Sequence, residues 1–578
     1  GFRVVEEFAT RPQKAPFRDG PLRRVPGDCL GRVGVLGYRS DEVPLVLPAA
    51  PDPSLSFTEK RKPSQFRRMA ACSLGCHVQG VVLPRPDLSC SNSLMEGVQH
   101  RHGREPPKAS RKLLRALARF TRRWCRKNLV PISPDYDLTF ESWLAQTPYP
   151  EGRKNELRNK YASYLKTGGL SKVKVSHCKS FCKDEAYPDW KHFRAINSRS
   201  DEFKCLVGPL CRAMEAQVFK HHSFIKKIPN ADRPSYITNK LKRLGSKYTA
   251  TDYTSFEALF TQELMTACEF VVYEHLVSKC GTAQEVLQIM RAAMLHFNVC
   301  EFKNFTAYVL AKRMSGEMVT SLGNGITNLL VFFFLAARSG CTEVDGVVEG
   351  DDGLFVFKGK PLTASAFEEL GLLIKLETWD ELALASFCGI VFDTEELINV
   401  TDVRKATANF GWTDSRYANA RNTTLRMLLR AKSYSMIYQF PGCPILQELG
   451  HAGLRLTADL SLRESVKKAS QNDSVYERLH KYGDLSIPER VEPGPKTRLL
   501  VETLYGVTVE QQLKAEEYLA SMKKIAPLPQ FFTFPKIWED CWNSYSCTIT
   551  HSMLAPALWP ARRGFAVTAP VRQIWRSE

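Results

Sequence analysis

The chain has 578 residues, with 80 Lys plus Arg against 61 Asp plus Glu and a net charge of +19. A hydrophobic fraction of 44% and an aromatic fraction of 10% supply a large core and exclude a disordered chain. The length suits about three to five domain-sized units or one multi-lobed enzyme, and the positive surplus points to a polyanionic partner, nucleic acid or an anionic membrane. The longest uninterrupted apolar run, Leu329–Ala337, falls short of the ~20 residues a bilayer crossing takes, so no transmembrane segment is expected. The N-terminus shows no apolar stretch of signal-peptide length. The 17 cysteines are an odd number scattered through a long chain, which favours reduced thiols in a cytosolic compartment.

The chain begins at Gly1 and no methionine precedes Met69, so a fragment, a processed product or the downstream part of a read-through or frameshifted frame is expected. Residues 1–110 hold 13 of the 33 prolines with little periodicity and read as an irregular, Pro-rich N-terminal extension. Within them Cys72-x3-Cys76-His77, with Cys90, His100 and His102 beyond, offers zinc-ligand residue types. The spacing fits no standard finger, and free thiols are the plainer reading. From Arg101 to Lys127 there are eleven Lys or Arg and one acid, Glu105. Leu113, Leu117, Phe120 and Trp124 recur at spacings of four, three and four, an apolar helical stripe. Arg111, Lys112, Arg115, Arg119, Arg122, Arg123 and Arg126 take the other faces. Such a helix is expected either to line an RNA channel or to lie on an anionic membrane.

Helical and strand patterns alternate from about 170 to 400. Phe181-Cys182-Lys183-Asp184-Glu185 and then Arg194-Ala195-Ile196 and Arg199 set cations on an extended segment, where they can neutralise a triphosphate. Lys247–Thr251 reads as a strand that delivers Asp252 at its end. Phe256, Phe260, Leu264, Cys268 and Val271 then read as one helix face. Arg313–Gly325 carries glycines at 316, 323 and 325, which allow close backbone approach. Ser315, Thr320 and Asn324 in the same stretch offer small hydrogen-bonding groups suited to a sugar hydroxyl. The apolar helix Ile326–Ala337 that follows has to be buried. In Val347–Phe357 two β-prone runs flank Gly350-Asp351-Asp352-Gly353, a hairpin signature. Alone that tip is an ordinary surface turn. Beside Asp252 it makes a set of carboxylates suited to two divalent cations and phosphoryl transfer, with Mg²⁺ the hard ion that fits. After about 410 the pattern is mostly helical, with breaks at Pro441-Gly442 and from Pro488 to Pro495.

Taken in order, these segments resemble the right-handed RNA-dependent RNA polymerases of positive-strand RNA viruses, over about residues 140 to 520. The Ser315-Gly316 to Gly323-Asn324 stretch is most similar to the tombusvirus-like branch. Lys183-x-Glu185 and Arg194-x-Ile196 resemble the family's basic fingers motif. Asp252 matches its first palm motif, Ser315–Asn324 the second and Gly350-Asp351-Asp352 the third. Phe367-Glu368-Glu369-Leu370 and Leu373-Ile374-Lys375 resemble the fourth, and Ser386-Phe387-Cys388-Gly389 the hairpin that supports the primer strand. Pro441–Pro444 and Gln511-Gln512 look like thumb positions. The resemblance implies a mixed α/β fold with an antiparallel palm sheet. The expected divisions are fingers at 111–245 and 273–310, palm at 246–272 and 311–400, helical thumb at 401–560 and a C-terminal tail at 561–578. The chain departs from the family at Asp252-x4-Glu257, where the second acid is usually aspartate; a side chain one methylene longer changes the geometry of ribose recognition.

The implied activity is template-directed RNA synthesis from ribonucleoside triphosphates. Asp252, Asp351 and Asp352 are the expected ligands of two Mg²⁺ ions, with Mn²⁺ as an alternative and the Tyr253 carbonyl as a further donor. Lys375 is the expected general acid. Lys183 and Arg194, assisted by Arg199, are expected to hold the triphosphate. Ser315, Thr320 and Asn324, with Glu257 nearby, are expected to test the 2′-hydroxyl. The surplus cations then follow template and product phosphates without reading sequence. Two rivals stand beside this reading: a reverse transcriptase, which usually carries Tyr-x-Asp-Asp where this chain has Glu349-Gly350-Asp351-Asp352, and a basic RNA-packaging protein with a degenerate palm. The expected location is the host cytoplasm, at membrane replication sites through a partner, with other viral replication proteins as further partners.

Overall fold

The computed structural model describes residues 32–39, 55–60, 69–167, 175–469, 485–544 and 548–550. The strands, in chain order, are β1 (Arg32–Leu36), β2 (Ser56–Glu59), β3 (Met69–Ser73), β4 (His177–Cys182), β5 (Ala195–Arg199), β6 (Lys247–Tyr253), β7 (Phe297–Glu301), β8 (Phe305–Leu310), β9 (Thr342–Glu349), β10 (Asp352–Lys358), β11 (Ile374–Trp379), β12 (Trp412–Asp414) and β13 (Thr548–Thr550). They form three sheets, ordered β12-β3-β1-β13, β11-β6-β10-β9 and β2-β8-β7-β4-β5. The pairings are antiparallel except β4 with β7. With helices in the majority, the fold is mixed α/β.

The β11-β6-β10-β9 sheet is covered on both faces, because its strands alternate two apolar sets. Phe355 and Phe357 of β10 face the long helix Thr320–Arg338, and the Phe355 ring stacks on Phe332 with centroids 3.8 Å apart. Tyr248, Val347, Leu354 and Val356 face the other way, onto Ile237 and Leu241 of the helix Arg233–Leu241 and onto Phe387. Each fully buried Phe, Val or Leu contributes roughly 1.5–3 kcal/mol relative to exposure, so the two clusters fix which face each strand residue takes. By length and hydropathy Thr320–Arg338 qualifies as a membrane-crossing helix, yet 78% of its most apolar window is buried inside the protein. Its apolar surface is taken up by the sheet and by the helices beside it.

Two expectations need correction. Residues 256–277 form three short helices, Phe256–Leu259, Gln262–Ala267 and Glu269–Val277, where one was expected. Thr261 breaks the first run by accepting a bond from Leu264 N, and Cys268 breaks the second with φ −117° and ψ −83°. Residues 1–110 are not irregular throughout. Among the described ones β3 pairs with β1 and β12, β2 pairs with β8, and Ser91–His102 is a helix. These short strands are completed by partners far along the chain, which no local pattern displays. The rest of that extension and the tail at 561–578 lie outside the described residues.

The region after 400 is helical as expected, with Asn422–Gln439, Leu446–Arg455, Pro495–Tyr505 and Val509–Ser521 around a shared apolar cluster. Pro441-Gly442 separates the first two, and Pro495 opens the third at a first-turn position that costs no hydrogen bond. Among the described residues no disulfide joins the cysteines.

One contact ties three distant segments. Asp184, just past β4, hydrogen-bonds Asp414 of β12, and Arg85 lies 3.8 Å from Asp184. Burial first, then the charge of Asp414, pushes Asp184 up to about 6. Because this lies above the ordinary ~3.9, the contact's contribution is complete below about pH 4 and is lost as pH rises through about 6. Asp184→Asn keeps a donor there without a titrating proton. Its unfolding midpoint is expected to match the parent near pH 4 and exceed it near pH 7.5; identical profiles across that range would remove Asp184 as the source.

Candidate active site

Register brings the acidic residues to one end of the central sheet. Lys375 of β11 pairs with Asp252 of β6, and Asp352 of β10 pairs with Glu349 of β9. Gly353 pairs with Thr251, so one further step along the same ladder sets Asp352 opposite Asp252. Opposed residues in antiparallel strands share a face. Glu349, Asp352, Asp252 and Lys375 therefore form one row across four strands, at the edge of the Tyr248–Leu354 face. Asp351 sits beside the row in the two-residue tip Gly350-Asp351. Gly350 has φ +64°, a left-handed conformation that glycine takes without a steric cost.

The row is short of positive charge. Asp352 keeps an exposed edge, but its carboxylate is crowded by protein. Burial first, then Asp351, Glu349 and Asp252, raises it to about 6, while a hydrogen bond from the Cys388 thiol pulls the other way. Glu349 is held by Arg233 at 2.7 Å. Lys375 Nζ bonds Glu377 at 2.5 Å, and this bond, with the field of Asp252, raises its pKa. Among the described residues no group of three or more His, Cys, Asp or Glu side chains is gathered to hold a metal ion, at this row or at the Cys72–His102 residues. As a donor set the row still fits a divalent cation. Its atoms are hard carboxylate oxygens, and the charges of Asp351, Glu349 and Asp252, which add to burial in raising Asp352, are ones a cation would offset.

Behind the tip lies a residue that sequence reasoning missed. Asn328, buried in the helix Thr320–Arg338, donates to the Asp351 carbonyl at 2.8 Å. Its Oδ1 accepts from the hydroxyls of Thr251 (3.2 Å) and Tyr253 (3.3 Å). One amide thus fastens the hairpin tip to the end of β6. The available signal was an amide four residues beyond Asn324, on the same face of an otherwise apolar helix.

The Ser315–Asn324 segment reaches the same tip. Thr320 Oγ1 donates to the Met314 carbonyl at 3.1 Å, and the Ser315 carbonyl accepts from Asn197 N of β5 at 2.5 Å. Gly316 has φ +105°, and a Cβ there would lie 2.8 Å from Ile196. At Gly323 a Cβ would collide with Glu269 and Arg313; at Gly325 it would lie 3.7 Å from Gly350 N, beside the tip. Asn324 is 2% exposed, and its Oδ1 has no hydrogen-bond partner among the described residues. A buried orphan acceptor of this kind costs about 1–3 kcal/mol until a donor arrives.

Lys183 and Arg194 stand opposite each other where the β4–β5 ladder ends, joined by Lys183 N to Arg194 O at 2.8 Å. Both cations flank Glu185, at 2.9 and 3.6 Å, and both are partly exposed. Arg101, at the end of the helix Ser91–His102, lies within the fields of Arg194 and Glu185 and sits 4.0 Å from the carboxylate of buried Glu257. Sequence reasoning missed Arg101, which had no signal beyond membership of a basic run.

Arg199 is not brought to this group. It is 2% exposed and spends its guanidinium on Glu317, on the Asn298 amide oxygen at 2.6 Å and on the carbonyls of Ala293, Val175 and Ser176. Glu317 also pairs with Arg313 at 3.5 Å, and Arg313 with Glu269. The alternation of cations in sequence could not show that this one points inward.

No protein-family model matches the chain, and no curated protein matches it either. Arg199→Ala leaves Glu317 buried with its main partner gone. The expected loss of folding stability is about 3–5 kcal/mol, read from denaturant unfolding. A variant as stable as the parent would return Arg199 to the ligand-binding residues.

Proposed function

We propose that the chain is an RNA-directed RNA polymerase of the right-handed kind, resembling the tombusvirus-like branch of positive-strand RNA viruses. The observation that carries this reading is the shared row of Asp352, Asp252 and Lys375 with Asp351 at its end; the orphan acceptor of Asn324, one turn before the Asn328 that holds the Asp351 carbonyl, supports it. In this reading the β11-β6-β10-β9 sheet is the palm, the regions at 111–245 and 273–310 are fingers, and the helices after 400 are the thumb.

Asp252, Asp351 and Asp352 would hold two Mg²⁺ ions, or Mn²⁺ in their place. Bound there, the ions supply charge neutralisation for the triphosphate and for the attacking 3′-hydroxyl. The protein's own groups do the rest. Lys183 and Arg194 grip the triphosphate through charge-assisted hydrogen bonds. Asn324 presents its unsatisfied oxygen to the ribose 2′-hydroxyl, and Ser315, Thr320 and Glu257 assist in that test; a site built to pair a hydroxyl rejects the sugar lacking it. Lys375, exposed beside Asp252, donates a proton to the departing pyrophosphate. The site works in the host cytoplasm, brought to membranes by a partner protein.

Purified protein, a primed RNA template and radiolabelled ribonucleotides test the reading. Asp252→Ala and Asp351→Ala are expected to keep the parent's circular dichroism and to lose Mg²⁺-dependent incorporation by about 10³-fold or more, roughly 4 kcal/mol of barrier. Parent-level extension by either variant would reject the assignment. RNA binding without turnover by the parent would favour the packaging rival, and preference for deoxyribonucleotides the reverse transcriptase. A second measurement isolates the proton donor. Lys375→Ala is expected to slow single-turnover incorporation by ~10²–10⁴-fold, and an unchanged rate would make Lys375 a structural lysine.

A further inference from the structure

The helix Arg111–Asn128 carries charge that nothing in the catalytic reading uses. Its apolar residues Leu113, Leu114, Leu117 and Cys125 pack into the core with the helices Glu269–Val277 and Thr320–Arg338. Thr320–Arg338 in turn covers the sheet face opposite the carboxylate row. The basic helix therefore packs on the layer behind that row, with its N-terminal end joined to the segment before β11 by the bond from Ser110 N to Glu369 O.

Arg111, Lys112, Arg115, Arg119, Arg122, Arg123, Arg126 and Lys127 are all exposed, and none forms an ion pair with an acid among the described residues. At ~100° per residue these eight side chains fall in a single arc of roughly 160°. They form one continuous stripe along a helix about 27 Å long. At its C-terminal end the stripe opens into a hollow of about 520 Å³ lined by Arg123, Trp124, Lys127, His221, His222 and Asp345. Trp124 and His221 have ring centroids 5.0 Å apart, and His221 and His222 4.3 Å. The one acid, Asp345, is already neutralised by Lys240 at 2.6 Å and Arg243 at 3.4 Å.

We propose that this stripe and hollow are a second RNA-binding surface: the cations follow the phosphates of a single strand, and the aromatic hollow takes one of its bases. Charge complementarity identifies a polyanion, and the hollow separates RNA from a lipid surface. A membrane would engage the cations alone, because the helix has no apolar face left to insert. Single-stranded RNA uses both features, a cationic track and flat rings on which a base stacks. The surface stands apart from the carboxylates, so it holds RNA whether or not the row catalyses anything.

The test uses the full chain and a fluorescent oligouridylate of about 20 nucleotides, with anisotropy read across a salt series. The variant R115Q/R119Q/R122Q/R126Q changes four exposed side chains. A control, K405Q/K514Q/K523Q/K536Q, removes the same charge from exposed positions elsewhere. The stripe variant is expected to lose at least about 10-fold in affinity near 0.1 M salt. Its log–log salt slope should shrink by about 2–3, at ~0.7 per phosphate contact on a single strand. The control should stay within about twofold of the parent. Equal losses in both variants would reduce the effect to net charge and overturn the proposal. Unchanged RNA binding with lost binding to phosphatidylserine-containing vesicles would overturn it in favour of a membrane. Nucleotide incorporation is not read in this assay, so a failure of the polymerase reading leaves the outcome interpretable.

Discussion

The position of β6 between β10 and β11 is the constraint on which the site depends. A strand has a side-chain period of two, so a slip of one residue would turn Asp252 from the Tyr248 face to the face covered by the helix Thr320–Arg338 and take Thr251 away from Asn328. The chain fixes this register from both faces. Tyr248 is drawn into the cluster around Ile237, while Thr251 and Tyr253 are drawn to Asn328. Asn328 also holds the Asp351 carbonyl, so the same amide sets the strand end and the hairpin tip together. Two carboxylate-bearing segments a hundred residues apart are aligned by one side chain that carries no charge.

A second constraint sits beneath the Ser315–Thr320 turn. Arg199, Glu317, Arg313 and Glu269 form a chain of two cations and two anions, all nearly inaccessible to water. Burying four charges costs several kcal/mol per ion, and their mutual attraction offsets that cost only when the geometry is held. The network therefore does little as a source of net stability and much as a lock. Gly323 lies so close to the Glu269–Arg313 pair that any side chain would push it apart. The helix carrying Asn324 and Asn328 is thereby held at one height against the sheet. Placement of Asn324 and placement of the hairpin tip share the same support.

The hairpin at 347–357, the strand before Asp252 and the buried helix after Gly325 were all legible in the sequence. Each is local and strongly periodic, so propensity and pattern agree. The convergence of Asp252 with Asp352 was legible only through the resemblance, because strand order is set by pairing between distant segments. What stayed hidden has a common physical origin. β3 is a strand because β12 completes it, and a five-residue run holds too little signal alone. Arg199 and Arg194 are indistinguishable as letters, yet one faces Glu317 inside and the other stands at a ladder end beside Glu185. Charge sign is written in sequence, whereas the direction of a side chain follows from the register of its strand.

Electrostatic segregation is the remaining consequence. A chain of net charge +19 has cations enough to surround every acid, but the sheet end is the reverse. Lys375 is occupied by Glu377 and Arg233 by Glu349, which leaves Asp252, Asp351 and Asp352 with little compensation. The cations of the helix Arg111–Asn128 pair with none of these acids among the described residues, and the apolar face of that helix packs on the helices behind the sheet. The fold thus gathers acids at one end of the sheet and exposed cations along one helix face, although both are drawn from the same net-positive chain.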